Sequence, residues 1–241
     1  MTDPRLELIE HRLSNVKRII AVSSGKGGVG KSIVSVALAL GLRGKNLKVG
    51  LFDLDFTSPS THVILGVKDL QPIEDYGIVP PVVEGLNYMS ITFYAFDNPV
   101  PLRGIDVSNA LVELMAITRW GELDYLIIDM PPGLGDITLD MMRLVKHISF
   151  LVITTPSIVA FETVKKLLSL SNSLKIPILG VIENMVMDHK SRIRDESEKL
   201  SVRYLGEIEY DSNLEDSIGN IEKLKKTRFY GSVERIIKEL L

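Results

Sequence analysis

The chain has 241 residues, 45% hydrophobic and 24% charged, with a net charge of -3 and no cysteine. That length and balance suit one globular domain over 1–241 and argue against disorder; the slightly acidic charge argues against broad attraction to nucleic acid or anionic lipid, and the missing thiols exclude disulfides and thiolate chemistry. Residues 1–17 are charged rather than apolar and no run reaches the length of a membrane span, so a cytoplasmic protein with an N-terminal helical extension over 1–17 is expected.

Arg18–Ser23 reads as a short buried strand that runs into a glycine-rich loop, and Ser32–Leu42 follows with a helical apolar pattern. Between them, Gly25-Lys26-Gly27-Gly28-Val29-Gly30-Lys31-Ser32 satisfies the phosphate-binding pattern GxxxxGK[ST] in the strand, loop, helix order it requires. The expected nucleotide-binding set runs from Gly25 through Ile33. Backbone amides of Gly27 to Ser32 cradle the β-phosphate at a helix N-terminus, where unpaired N–H groups and the helix dipole favour negative charge. Lys31 is placed between β and γ oxygens, and the Ser32 hydroxyl is a direct Mg²⁺ ligand, since a hard cation prefers oxygen. Lys26 is surplus to this minimum and needs its own explanation.

Leu47–Asp53 is the next apolar run, and the acids Asp53 and Asp55 at its end lie on one side by the period of two. In a doubly wound sheet the carboxyl ends of strands face the ligand crevice. Asp55 is therefore assigned to orienting or deprotonating the attacking water, and Asp53 to the magnesium water shell. The alternative for Asp53 is a cap on the turn at Ser58-Pro59-Ser60. A helix is expected over Ser108–Trp120, followed by the strand Leu123–Asp129, an apolar run closing on an acid. This is the Walker B form, with Asp129 holding Mg²⁺ through water. Pro131-Pro132-Gly133-Leu134-Gly135-Asp136 then suits a switch that senses the γ-phosphate through a glycine N–H.

Ile148–Thr154 and Ile178–Ile182 are further strand candidates, separated by a helix over Ser157–Lys175 that stops before Pro177. Asn184 follows the second of these strands, and its side-chain amide can both donate to and accept from adenine. A turn asparagine is the competing reading. The stretch 188–199 is dense in charge and reads as a solvated loop or surface helix. Near-continuous apolar strands alternating with helices give the fold class: α/β, a doubly wound and mostly parallel sheet with helices on both faces.

The extended loop SSGKGGVGKS resembles the deviant Walker A of the ParA/MinD/Mrp group of dimerising P-loop ATPases. Asp53-Leu54-Asp55 with Ser58-Pro59-Ser60, Trp120-Gly121-Glu122-Leu123-Asp124-Tyr125, Asp129-Met130-Pro131-Pro132-Gly133 and Gly180-Val181-Ile182-Glu183-Asn184-Met185 are similar to its Mrp/ApbC branch. Thr154-Thr155-Pro156 and Leu205-Gly206-Glu207-Ile208 extend the likeness along nearly the whole chain. The resemblance implies ATP and Mg²⁺ as cofactors and a homodimer in which Lys26 of each subunit reaches the phosphates bound by the other. A cation delivered in trans stabilises transition-state charge and ties hydrolysis to assembly. It also supports Asn184 at adenine and adds residues of Glu207 to Asn213 to the same pocket.

The branch's usual task is carrying an iron-sulfur cluster on paired cysteines that bridge the dimer. Here Val186-Met187-Asp188-His189-Lys190 stands where those cysteines are expected. Clusters are held chiefly by thiolates, so an iron-sulfur cofactor on this chain is not expected. The resulting expectation is a slow Mg²⁺-dependent ATPase switch linked to metal-cofactor maturation, acting with cysteine-bearing assembly or client proteins. Two alternatives stand beside it. One is a positioning ATPase of MinD or ParA type on membrane or DNA; the other is a recruiting module with little turnover. Against the first, the C-terminal stretch 231–241 mixes acids with bases, where membrane recruitment needs a basic amphipathic face.

Overall fold

The computed structural model describes residues 3–95, 105–187 and 192–241. Asp188, His189 and Lys190, which stand where paired cysteines would be expected, lie outside the described residues. The strands of the main sheet are β1 (Val16–Ser24), β2 (Val49–Asp53), β3 (Val82–Val83), β4 (Leu86–Ser90), β5 (Leu123–Asp129), β6 (Ile148–Thr154), β7 (Ile178–Val186) and β8 (Tyr204–Glu209). The order across the sheet is β8-β7-β6-β1-β5-β2-β4-β3. Every pairing is parallel except the short β3–β4 edge hairpin. A second hairpin, Ile73–Glu74 with Ile78–Val79, stands apart from the sheet.

The helices used below are α1 (Arg5–Leu13), α2 (Lys31–Arg43), α3 (Thr61–Leu65), α4 (Ile105–Ile117), α5 (Asp136–Leu144), α6 (Ile158–Ser173), α7 (Ile193–Lys199) and α8 (Arg228–Leu240). The first helix is shorter than the expected extension, because Val16 already pairs with Leu123 in the sheet. Alternate strand residues serve opposite faces, as the pleat demands. On β6, Val152 packs with Phe161, Val164 and Leu167 of α6, whereas Leu151 and Ile153 belong to the main core. α8 buries Phe229, Tyr230, Val233, Ile236 and Ile237, and packs on α2 and β8. Its apolar side is thus used inside the fold, as the mixed charges of 231–241 require. α4 packs against both α1 and α5, and Ile9, Leu111, Met115 and Met141 from these helices join the main core. Among the described residues no helix is long and apolar enough to cross a membrane.

This arrangement sets the chemistry at one edge. β1 lies between β5 and β6, so the loop leaving it opens at the centre of the sheet's carboxyl end. The register places Asp53 beside Asp129 across the β2–β5 pair, and Asp129 beside Val22 of β1. Two acids and the glycine loop therefore converge at the crevice where open α/β sheets bind ligands.

Candidate nucleotide site

The loop between β1 and α2 is shaped by its glycines. Gly30 caps α2 with φ of 78°, in the left-handed region, and a Cβ there would collide with the Asn184 amide. Gly25 lies so close to Thr163 of α6 that a Cβ would overlap its hydroxyl. The loop is thus pinned from two sides, by β7 and by α6, while Lys26, Gly27 and Gly28 between them stay exposed. The Ser24 hydroxyl donates to the Lys26 carbonyl at 3.0 Å.

Lys31 is turned inward. Its Nζ donates to Asp129 Oδ1 at 2.6 Å and to Ser32 Oγ at 3.2 Å. Only 6% of Lys31 is exposed and none of Asp129, so this is a buried ion pair whose members depend on each other. Ser35 donates to the same Oδ1 at 2.7 Å. The other oxygen, Asp129 Oδ2, is buried and has no hydrogen-bond partner among the described residues. An orphaned carboxylate oxygen near a P-loop serine fits a magnesium ion bound through its water shell, the geometry in which Mg²⁺ keeps most of its waters.

Asp53 and Asp55, two positions apart in sequence, occupy different environments. Asp53 is fully buried: Oδ1 accepts from the Asp55 N–H at 3.0 Å, and Oδ2 accepts from the Thr61 N–H at 3.1 Å, the Thr61 hydroxyl at 2.7 Å and the Ser60 N–H at 3.2 Å. Both its oxygens are engaged by the turn into α3, the capping arrangement. Burial first, then the nearby Asp129 carboxylate, push its pKa up to about 6 against the pull of those donors. The Thr61 hydroxyl also meets the Tyr88 hydroxyl at 2.9 Å; burial and the Asp53 charge push that phenol's pKa up. Asp55 instead lines the open cavity, with Oδ1 held by the Thr57 hydroxyl at 2.8 Å and the Ser58 N–H at 3.1 Å.

That cavity, about 620 Å³, is bounded by the loop from Ser24 to Ile33, by Asp55, Thr57 and Ser58, by Pro132, and by Tyr210, Asp211 and Ser212. Lys26 sits on its wall, and no ion pair of its side chain occurs among the described residues. The region Glu207 to Asn213 contributes through Tyr210–Ser212. Asn184 does not line the cavity. β7 runs on past Ile182 to Val186, so Asn184 is a buried strand residue, and its Nδ2 donates to the Val29 carbonyl at 2.9 Å. It braces the P-loop from beneath, and Met185 takes the place on the wall. The Gly133 N–H, in the predicted switch, donates to the Ser24 carbonyl at 2.8 Å and so ties that segment to the end of β1.

Sequence reasoning missed Ser35, the Thr57 and Ser58 donors to Asp55, and the Thr61–Tyr88 pair. Ser35 carried a signal in hindsight: a polar residue one turn after the P-loop lysine, inside an otherwise apolar helix. Thr57 and Ser58 carried one too, lying two and three residues after an aspartate as in a local side-chain turn; only the Thr61–Tyr88 pair depends on tertiary placement.

Comparison with known proteins places this geometry in a family. Residues 15–240 match the family model described as ParA: NUBPL iron-transfer P-loop NTPase. An iron-sulfur cluster carrier protein of Pseudomonas fragi is 40% identical over 208 residues, covering 81% of this chain and 72% of that one. A protein of the same name from Methanocaldococcus jannaschii is 38% identical over 220 residues, covering 84% and 76%. Some relatives are longer: the chain spans 56% of the one from Rickettsia felis and 49% of the one from Aquifex aeolicus. Among solved structures, the nucleotide-binding protein in complex with ADP from Archaeoglobus fulgidus matches with a TM-score of 0.77 at 30% identity, over 92% of this chain and 93% of that one. The cell division ATPase MinD of Pyrococcus furiosus matches at 0.70 with 20% identity, over 93% and 98%, which shows the shared fold. With a family model covering nearly its whole length and relatives at about two-fifths identity, the chain belongs to the Mrp/NUBP family of iron-transfer P-loop NTPases.

Proposed function

We propose that this chain is a Mg²⁺-dependent ATPase that works as a homodimeric switch in iron-sulfur or metal-cofactor protein maturation, without cysteines of its own to hold a cluster. The observation that carries the reading is the buried Lys31–Asp129 pair at 2.6 Å, with Asp129 Oδ2 left unpartnered beside a P-loop cavity. Ser32 and Asp129 would hold Mg²⁺, which when bound neutralises charge on the β and γ oxygens. Lys31 moves from Asp129 to the phosphates, and the loop amides of Gly27 to Ser32 hold the β-phosphate. Asp55, fixed by Thr57 and Ser58 on the cavity wall, orients or deprotonates the attacking water. Lys26 reaches the phosphates of the second subunit. In this reading Asp53 shapes the turn into α3, Asn184 braces the loop, and the base lies toward Tyr210–Ser212.

Phosphate release measured across a range of protein concentrations tests the reading. Specific activity should rise with concentration, as a dimer requires. Asp55→Asn should lower turnover by roughly 10²-fold or more, the worth of a positioned general base, with nucleotide binding kept. Absence of ATP-dependent phosphate release sinks the ATPase and leaves a recruiting module; full turnover in Asp55→Asn sinks the Asp55 assignment.

A further inference from the structure

We infer that Ser35 is the positioning residue that holds the Asp129 carboxylate in its metal-facing orientation after nucleotide has drawn Lys31 away. The inference rests on the functional reading above and extends it to a residue outside the P-loop motif. Ser35 lies on α2 one turn beyond Lys31, and none of it is exposed. Its hydroxyl is 2.7 Å from Asp129 Oδ1 and 3.0 Å from the Lys31 carbonyl. Asp129 Oδ1 also accepts from Lys31 Nζ at 2.6 Å, and Oδ2 has no partner among the described residues. The carboxylate is therefore anchored through one oxygen and presents the other.

The two donors on Oδ1 differ in permanence. Lys31 belongs to the phosphate cradle, and its long side chain must turn to the β and γ oxygens when nucleotide binds. Ser35 has a short side chain on a rigid helix and cannot follow. Once Lys31 has left, Ser35 is the remaining side-chain donor to Asp129 among the described residues. Its placement also costs something that needs a reason. The helix around it is buried and apolar through Val34, Val36, Ala37 and Leu38. A serine there is a poorer helix former than alanine and buries a hydroxyl. Bonding back to the Lys31 carbonyl alone would satisfy that hydroxyl, but a carboxylate within 2.7 Å is the stronger acceptor.

Mn²⁺, which is visible by electron paramagnetic resonance and takes the same oxygen ligands as Mg²⁺, is the probe. It is titrated into the ADP complexes of the wild type, Ser35→Ala, Ser35→Cys and Ser35→Thr. Ser35→Ala should weaken Mn²⁺ binding by roughly 10–100-fold, the usual effect of losing a group that orients a metal ligand. ADP affinity in EDTA should be unchanged. Ser35→Cys keeps the packing volume with a much weaker donor and should show the same loss, which separates orientation from a cavity or a folding defect. Ser35→Thr should restore binding. Wild-type Mn²⁺ affinity in both Ser35→Ala and Ser35→Cys overturns the inference alone. A wild-type ADP complex that binds no Mn²⁺ overturns the functional reading and the inference with it.

Discussion

Two lysines five positions apart in one loop have opposite surroundings, and that contrast decides what each can do. Lys31 is buried against Asp129, so its charge is committed inside the subunit. Lys26 is exposed on the wall of the cavity, and no ion pair of its side chain occurs among the described residues. A solvated ammonium costs little to leave unpaired and is free to meet phosphate oxygens presented by another subunit. Lys26→Ala should therefore leave stability within about 0.5 kcal/mol of wild type, as surface changes do. It should keep ATP binding and lose turnover by roughly 10³-fold or more, the range of a cation supplied in trans. Unfolding curves, nucleotide titration and phosphate release check the three parts, and unchanged turnover per subunit would sink the trans assignment. Lys31→Ala should behave differently even without ATP. It strands a fully buried carboxylate, so urea denaturation should show a loss of about 3–5 kcal/mol.

At the scale of elements, the site depends on how two segments meet the P-loop. Gly30 starts α2 in the left-handed region directly against Asn184 of β7. Gly30→Ala should cost about 1–3 kcal/mol through strain and displacement of that amide, with ADP affinity falling in parallel; calorimetric melting and ADP titration would show it. Asp53 closes the turn into α3, and its raised pKa sets a direction with pH. A carboxyl that titrates near 6 when folded, against 3.8 when unfolded, contributes stability fully present below about 3.8 and lost as pH rises through about 6. Between those values the wild type should lose stability relative to Asp53→Asn, whose profile should be flatter, as measured by urea midpoints at several pH values. How legible these elements were depends on what their ends are made of. β5 and β6 have the bounds expected from sequence, because the apolar runs Tyr125–Ile128 and Phe150–Ile153 close on Asp129 and Thr154. α6 begins after Ser157, whose hydroxyl accepts from the Ala160 N–H at 3.3 Å, as an N-cap serine should. β7 was legible only to Ile182. Its last residues include Glu183 and Asn184, polar side chains that read as a loop until the fold buries them, Glu183 beneath the Tyr204 hydroxyl at 2.9 Å and Asn184 beneath Val29. Ser35 and Asp129, 94 residues apart, meet only because the sheet order sets β5 beside β1, above which α2 starts. No local pattern carries that contact.

For the whole molecule, the question is how a member of an iron-transfer family acts without thiolates. The 241 residues contain no cysteine, while the relatives that share about two-fifths of its sequence are named iron-sulfur cluster carriers. The residues proposed to serve nucleotide lie at or beside one cavity: the P-loop cradle, the Asp129 carboxylate with one oxygen unpartnered among the described residues, Asp55 on the cavity wall and Lys26 exposed. On the proposed function, the nucleotide cycle and cluster binding are separable in this chain. Anaerobic incubation with ferrous iron and sulfide, followed by desalting, should leave the purified chain without bound iron or visible charge-transfer absorption, because the ligands that hold clusters are missing. The same preparation should shift from monomer to dimer by analytical ultracentrifugation when ATP is added to the hydrolysis-impaired Asp55→Ala, and return to monomer with ADP. Retention of a cluster by the chain alone would overturn the division of labour. A sedimentation coefficient indifferent to nucleotide would overturn the switch, whatever the outcome with iron. If both expectations hold, thiolates for any cluster come from outside these 241 residues, and a cysteine-bearing protein engaged by the ATP-bound dimer is the proposed source.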